Sequence, residues 1–468
     1  MLGGMRVHFF GATRTTTGSQ YLLEVNRQKL LVECGLFQGR RDESIERNRK
    51  FPFQPGEIDC VVLSHAHIDH CGNLPNLCRM GFQGNIYTTF ATRDLAEIML
   101  EDSAEIQKDD AAFVSKKRAK KGLPPVEPLY SASDAEKAVR QFVTLGYDRP
   151  LAISEGVTLT FRDAGHILGS AQVVLDLREQ GRSCRYLFSG DVGRGGDEIL
   201  RDPQPVENVD FLQIESTYGG RIHSAKVDAS AQARKLVTDT IQGGGKVIIP
   251  AFSIGRTQQI VYELHQCTLS GECAVVPIFV DSPLSTNATE VYRLHPECFN
   301  EEIYRFLREK ENPFAMTNLT YIRDAEHSKK LNELPGPAII ISASGMAEAG
   351  RIRHHLKNHI GNPNNLILFI GYCAEHTLGA QILAGRNPVN IFGEPHEVRA
   401  RIASVDAFSG HADKNELTRY VNALTGNIKK IAAVHGEESQ CLAWAETLRA
   451  LKPKAEVLAP VYQQIMEI

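Results

Sequence analysis

VVLSHAHIDHCGNLP, residues 61–75, sets three histidines and an aspartate within six positions directly behind an apolar run. Val61, Val62 and Leu63 read as a buried strand, and loops leaving the C-terminal ends of sheet strands are where α/β proteins build sites. The spacing His65-Ala-His67-Ile-Asp69-His70 lets two alternate side chains converge on one cation, with Asp69 and His70 turned toward a second. Imidazole nitrogen with carboxylate oxygen suits Zn²⁺, with Mn²⁺ or Fe²⁺ as further candidates. A polar loop explains one histidine, but not four such groups at this spacing behind a strand. A two-ion site needs more ligands, and later strands offer them. FRDAGHILGSA supplies His166, and YLFSGDVGR supplies Asp191 between two glycines, where a carboxylate can bridge both ions.

Outward from this stretch, QYLLEV, KLLVE and NIYTT read as further strands, each followed by Gly or polar punctuation. From about Arg93 to Lys121 the pattern is helical and charged, ending in SKKRAKKGLPP. That cluster reads as a solvated helix end stopped by Gly122 and Pro124, with contact to a polyanion as the alternative. Strands resume in VTLTFRDAG, AQVVLDL and CRYLFSGD. Near Gly220 the rhythm changes to strand and helix in alternation (GGGKVIIPA, VVPIFVDSP, GPAIIISASG, NLILFIGY), which predicts a parallel sheet. Short strands return near Arg399. The plan is one domain carrying another as a long insertion.

The 468 residues, 42% hydrophobic and 23% charged, are long enough for two or three domains of an ordinary globular enzyme. The net charge of -4 gives no overall basic field, which leaves nucleic-acid contact to a local cleft. No apolar run approaches the roughly 20 residues of a membrane span, so no membrane partner is expected. The ten cysteines contain no C-x-x-C pair, and Cys34 and Cys60 sit in apolar runs as buried free thiols. The cytoplasm is the expected compartment.

His65, His67, Asp69, His70, His166 and Asp191 match the ligand order of the metallo-β-lactamase superfamily, which the first 200 or so residues resemble. The resemblance implies an αβ/βα four-layer sandwich with two metals at its edge. Where that family carries an aspartate in a D-C-G-like turn, this chain reads LLVECGLFQG, so Glu33 is expected to orient a ligand histidine. QIESTYGGR with Glu215 resembles the first motif of the β-CASP branch, whose members process nucleic acids. IPAFSIGRTQQIVYEL, VDSPLSTNATEVY, IISASGMAEAGRIRHHL and FIGYCAEHTLG resemble successive stretches of its inserted domain. DAFSGHADKNEL with His411 and AVHGEES with His435 resemble the later histidine motifs. The implied fold is α/β: a metallo-β-lactamase sandwich (1–219 and 399–468) with an inserted parallel-sheet β-CASP domain (220–398). DNA-directed members of the branch generally lack the last histidine, whereas members similar to the mRNA 3′-end cleavage endonuclease and its prokaryotic relatives keep it. His435 therefore favours RNA. Neither an N-terminal KH module nor C-terminal assembly domains like those of related enzymes are expected.

The resemblance implies a metal-dependent ribonuclease holding two Zn²⁺ per chain, with Mn²⁺ as the alternative. His65, His67 and His166 are assigned to one ion, Asp69, His70 and His435 to the other, and Asp191 bridges. The activated hydroxide attacks phosphorus in line, leaving a 5′-phosphate and a 3′-hydroxyl. Asp69 is counted with the catalytic groups, and His411, held by Glu215, is the expected general acid for the leaving oxygen. Ser344 and Gly345, after an apolar strand and before a helix, are expected to offer backbone N–H groups to a phosphate. Arg256, Arg351, His354 and His376 are expected along the RNA path. The expected partner is single-stranded RNA, with a homodimer left open. Competing readings are a DNA nuclease of the same branch and a small-molecule hydrolase of the wider superfamily. Endonucleolytic and exonucleolytic cutting are not separated by the sequence.

Overall fold

The computed structural model describes residues 4–223, 226–310, 312–371, 373, 376–405 and 409–468. Residues 372 and 374–375 of FIGYCAEHTLG and 406–408 of DAFSGHADKNEL lie outside them. The chain forms two units, residues 1–222 with 411–468, and residues 223–410.

The first unit is built on two seven-stranded sheets. One runs Gln464–Glu467, Arg6–Phe9, Tyr21–Val25, Gln28–Val32, Cys60–Val62, Asn85–Thr88, Phe142–Thr144. Its first four strands pair antiparallel and the rest parallel. The other runs Glu456–Leu458, Lys430–Val434, Phe211–Glu215, Arg182–Phe188, Ala171–Glu179, Val157–Asp163, Leu151–Ser154, with the parallel half first. Alternation in Val157–Asp163 sends every second side chain inward, as a strand with one buried face requires. The inward faces of both sheets meet in one core that includes Val7, Phe9, Tyr21, Leu23, Phe161, Val173, Tyr186 and Phe188. Outside the second sheet, the helices Lys414–Ala423 and Glu438–Leu451 bury Leu417, Tyr420 and Trp444 against Leu187, Leu212 and Ile431. The long helix Phe90–Ala119 packs on the strand Phe142–Thr144 at the far side of the first sheet. The layers are therefore αβ/βα.

The second unit is a six-stranded sheet, Leu319–Ile322, Ile278–Asp281, Ile339–Ser342, Val247–Pro250, Leu366–Ile370, Arg401–Val405, parallel throughout. Its four inner strands are almost wholly buried apolar runs, as strands of a parallel sheet covered on both faces are. The strand Arg401–Val405 was expected beyond a boundary at 399. It pairs instead with Leu366–Ile370 of this sheet, and the first unit resumes at His411. A disulfide joins Cys267 and Cys273, a pairing that their spacing does not announce. Cys34 and Cys60 are buried free thiols, pushed up in pKa by burial, Cys60 to about 12. No helix among the described residues is long and apolar enough to cross a membrane.

Candidate metal centre

The site lies in the first unit, on loops leaving strand ends. Glu33 follows Gln28–Val32, His65 follows Cys60–Val62, Asp191 follows Arg182–Phe188, Glu215 ends Phe211–Glu215, and His435 follows Lys430–Val434. Each of those five strands has at least one parallel neighbour, and the ends of parallel strands gather polar loops. Backbone bonds fix the arrangement. Cys34 and Leu36 donate to the carbonyls of His70 and Ile68, and Ser19 to that of Asp69. Gly35 sits so close that an added Cβ would lie 1.6 Å from the Asp69 carbonyl oxygen.

Four ligand atoms converge at one point. His65 Nε2 lies 3.2 Å from His67 Nδ1, which lies 3.2 Å from His166 Nε2. Asp191 Oδ2 is 3.4 Å from His65 Nε2 and 3.5 Å from His166 Nε2. All four atoms lie within 4.8 Å of one another, close enough for one cation to take them all as nitrogen and oxygen ligands. Beside it, His435 Nε2 lies 3.1 Å from His70 Nε2 and 3.3 Å from Asp69 Oδ2. Asp191 turns its other oxygen to this group, Oδ1 being 3.5 Å from His70 Nε2. That Oδ1 is buried and accepts no hydrogen bond among the described residues. A buried carboxylate oxygen that accepts no hydrogen bond is costly unless positive charge faces it, so both donor sets fit divalent metal ions.

The hydrogen bonds behind these atoms settle which nitrogens are free. Glu33 accepts from His70 Nδ1 at 2.5 Å, from the Ser64 amide at 2.6 Å and from the Ser64 hydroxyl at 2.9 Å. That hydroxyl, its proton given to Glu33, accepts from His65 Nδ1 at 2.9 Å. Thr217 Oγ1 donates to the His435 carbonyl and accepts from its Nδ1, both at 3.2 Å. The Nε2 lone pairs of His65, His70 and His435 are thereby left facing the ion positions. Ser64 and Thr217 carry no spacing signature and are absent from the sequence reading. Glu33 and His435 hold positive φ, +64° and +51°, an uncommon geometry for residues other than glycine that recurs at functional sites.

Burial pushes His65, His67 and His166 down, His67 to about 3, which keeps these imidazoles neutral and able to ligate. Burial would raise Asp191, but the surrounding imidazoles, His435 and His70 foremost, outweigh it and hold the carboxyl well below its usual range. Burial lowers His70, yet Asp191 and Asp69 overcome it and push the ring up; a cation there would take the place of the Nε2 proton.

His411 Nδ1 lies 3.2 Å from Glu215 Oε2, and Glu215 is anchored by the Val192 amide at 2.6 Å. The ring packs on His166 at 4.5 Å between centroids and is one-fifth exposed. Burial lowers His411, and Glu215 with Asp191 more than offsets this, so its pKa is raised.

The six residues expected to bind substrate all lie in the second unit. The Ser344 amide donates to Ala349 O, its hydroxyl accepts from the Glu348 amide, and the next helix begins only at Ile352. No helix N-terminus presents itself at Ser344, contrary to expectation. Gly345 is buried against the Phe252 ring. Arg351 clamps the buried Asp281 at 2.7 Å and donates to Arg323 O, which ties the sheet end together. Arg256 donates to Gln259 on its own helix. His354 is exposed and packs on Phe392, and His376 is exposed beside a cavity of about 340 Å³.

Known proteins resemble this chain along most of its length. Residues 13–245 match the metallo-beta-lactamase superfamily model, 257–382 the Beta-Casp domain, and 395–460 the Zn-dependent metallo-hydrolase RNA specificity domain. The chain is 36% identical over 449 residues to Ribonuclease TTHA0252 of Thermus thermophilus, covering 95% of this chain and 96% of that one. It is 30% identical to Transcription termination factor FttA of Methanocaldococcus jannaschii over 96% of this chain and 70% of that one. A crystal structure of a protein of unknown function from Enterococcus faecalis shares the fold at TM-score 0.57, with 10% identity over both whole chains. The chain belongs to the β-CASP branch of the metallo-β-lactamase superfamily.

Proposed function

We propose that this chain is a metal-dependent ribonuclease that hydrolyses phosphodiester bonds of single-stranded RNA in the cytoplasm. The observation that carries the reading is the divided Asp191 carboxylate, one oxygen toward His65 and His166 and the other toward His70. The donor set of nitrogen and oxygen suits Zn²⁺, two per chain, with Mn²⁺ as the alternative. His65, His67 and His166 would hold one ion, Asp69, His70 and His435 the other, and Asp191 both. When bound, the ions neutralise the phosphodiester and make water a nucleophile near neutral pH.

The chain's own groups do the rest. Glu33, through His70 and Ser64, keeps the donor nitrogens aimed. Glu215 holds His411 by Nδ1, which leaves Nε2 to deliver a proton. Water adds to phosphorus, the P–O3′ bond breaks, and His411 Nε2 protonates the departing oxygen, leaving a 3′-hydroxyl and a 5′-phosphate. RNA rather than DNA is supported by His435 and by the likeness to Ribonuclease TTHA0252. The likeness to FttA favours a second reading, action on transcription complexes.

The test is cleavage of end-labelled single-stranded RNA and DNA of matched sequence, with metal analysis of the same preparation. RNA products with 5′-phosphates and close to two ions per chain are expected; cleavage of DNA alone, or a metal-free active protein, overturns the reading. His411→Ala should keep its metals and lose at least about a hundredfold in kcat.

A further inference from the structure

The lysines at the end of the helix Phe90–Ala119 are unused by the site. In a chain of net charge -4, Lys116, Lys117, Arg118, Lys120 and Lys121 put five cations within six residues. The four lysines are exposed, and none has a carboxylate within salt-bridge distance among the described residues. Arg118 donates to Pro124 O. One or two cations suffice to complement a helix C-terminus. Here Lys116 with Lys120 and Lys117 with Lys121 are like charges four residues apart, which repel. A surface that concentrates unpaired charge against its own stability is shaped for an external anion.

Three further observations identify that anion as a nucleic-acid strand. Phe113 shares one helix face with Lys116, Lys117 and Lys120, is 57% exposed, and has the Lys117 ammonium 4.3 Å from its ring centre. An exposed ring among cations is the arrangement that stacks a base while neutralising phosphates. The cluster is also held rigid. The Val126 amide donates to Ser115 Oγ, the Leu129 amide to Gln107 Oε1, and Tyr130 OH to Ser103 Oγ, strapping the returning chain along the helix. At its other end the same helix is fixed to the metal centre: Thr89 and Thr92 hydroxyls both donate to Gly169 O, three residues from His166. At 1.5 Å per residue, Lys116 stands about 36 Å along the helix from Thr92.

We infer that Phe113 and Lys116, Lys117, Lys120 and Lys121 form an anchoring site for single-stranded RNA, distant from the cleaved bond and joined to the metal centre by a rigid helix. The inference rests on the RNA reading above. It makes affinity depend on substrate length: only a strand long enough to run from the metal centre to the far end of this helix, about 36 Å beyond Thr92, reaches both places.

The experiment measures kcat/KM against salt for the wild type and the K116Q/K117Q/K120Q/K121Q variant, on a long RNA and on one too short to span that distance. On the long RNA, the slope of log(kcat/KM) against log[salt] should become shallower by about 0.7 for each phosphate the variant no longer neutralises, and KM at low salt should rise about tenfold. On the short RNA both proteins should agree. Phe113→Ala should raise KM on the long RNA without changing the salt slope. An unchanged slope with active enzyme overturns the anchoring site and leaves the ribonuclease reading intact, and the lysines then serve a protein or membrane partner. Equal loss on the short RNA also overturns it, because the lysines would then act on the metal centre or the fold. A wild type that cleaves no RNA of either length fails the ribonuclease reading, and the RNA anchor with it.

Discussion

At the scale of single residues, Glu33 and Asp163 are two buried carboxyls with opposite fates. Glu33 accepts three hydrogen bonds from Ser64 and His70, so each oxygen is matched. Glu33→Ala strands those donors and frees His70 to turn. Loss of such a partner behind a ligand histidine costs roughly 10–100-fold in metal affinity, and chelator competition should read that loss; unaltered metal retention would remove the orienting role. Asp163 is less well matched. Its Oδ1 accepts from the Gly165 amide, while its Oδ2 is buried without a partner among the described residues. Burial pushes its carboxyl up to about 7, against the opposing pull of the Gly165 amide and Arg201. A folded pKa above the unfolded one means that the group favours folding fully only below about pH 4. That contribution is lost as pH rises toward 7, leaving a penalty of roughly 4 kcal/mol above it. Asp163→Asn keeps the acceptor for Gly165 and removes the ionisation. It should raise unfolding free energy at pH 8, with the gain shrinking toward pH 5; a gain independent of pH would contradict the assignment.

At the scale of elements, the loop Glu33-Cys34-Gly35 shows how a strand end builds a site. Gly35 lets the loop lie on the turn Ile68–Cys71 with its amides bonded to that turn. Gly35→Ala would drive a methyl group into the Asp69 carbonyl. It should displace Asp69 and His70 together, at a cost of several kcal/mol or the loss of one metal; circular dichroism melts and metal counts distinguish the two, and a variant with native stability and full metal would refute the close approach. This local design was legible because His65 to His70 are contiguous and follow an apolar strand. His166 and Asp191 were legible from their glycine-flanked loops, Glu33, Glu215, His411 and His435 only through family likeness. Ser64 and Thr217 were not, since hydroxyls bond by position and leave no spacing. The clamp of Arg351 on Asp281 was not legible either, because the two lie 70 residues apart, a separation no local pattern reveals. The strand Arg401–Val405 was misplaced for the same reason: which sheet a short strand joins depends on the free edge that accepts it, here that of Leu366–Ile370.

At the scale of the whole molecule, the donor groups of the centre come from segments hundreds of residues apart, yet all belong to residues 1–222 and 411–468. His435 reaches His70 and Asp69 across more than 360 positions of sequence. Ions held there would cross-link the two sheets of that unit, since Glu33, His65 and His70 hang from one and Asp191 and His435 from the other. Every donor found among the described residues belongs to this unit, so metal binding is expected to be linked to its stability. A ligand present at a hundred times its dissociation constant adds about 2.7 kcal/mol to the state that binds it. Hydrogen exchange before and after chelation reads this unit by unit. Peptides covering 62–72, 164–171, 188–193 and 433–437 should lose protection when the metal is removed, while the buried strands Ile278–Asp281 and Ile339–Ser342 should exchange as before. Equal deprotection of both units would mean that the ions stabilise the chain globally, and that the donors gathered at Asp191 do not account for the linkage. No change anywhere would mean that the donor set holds its shape without a cation, which the buried Asp191 Oδ1, accepting no hydrogen bond among the described residues, argues against.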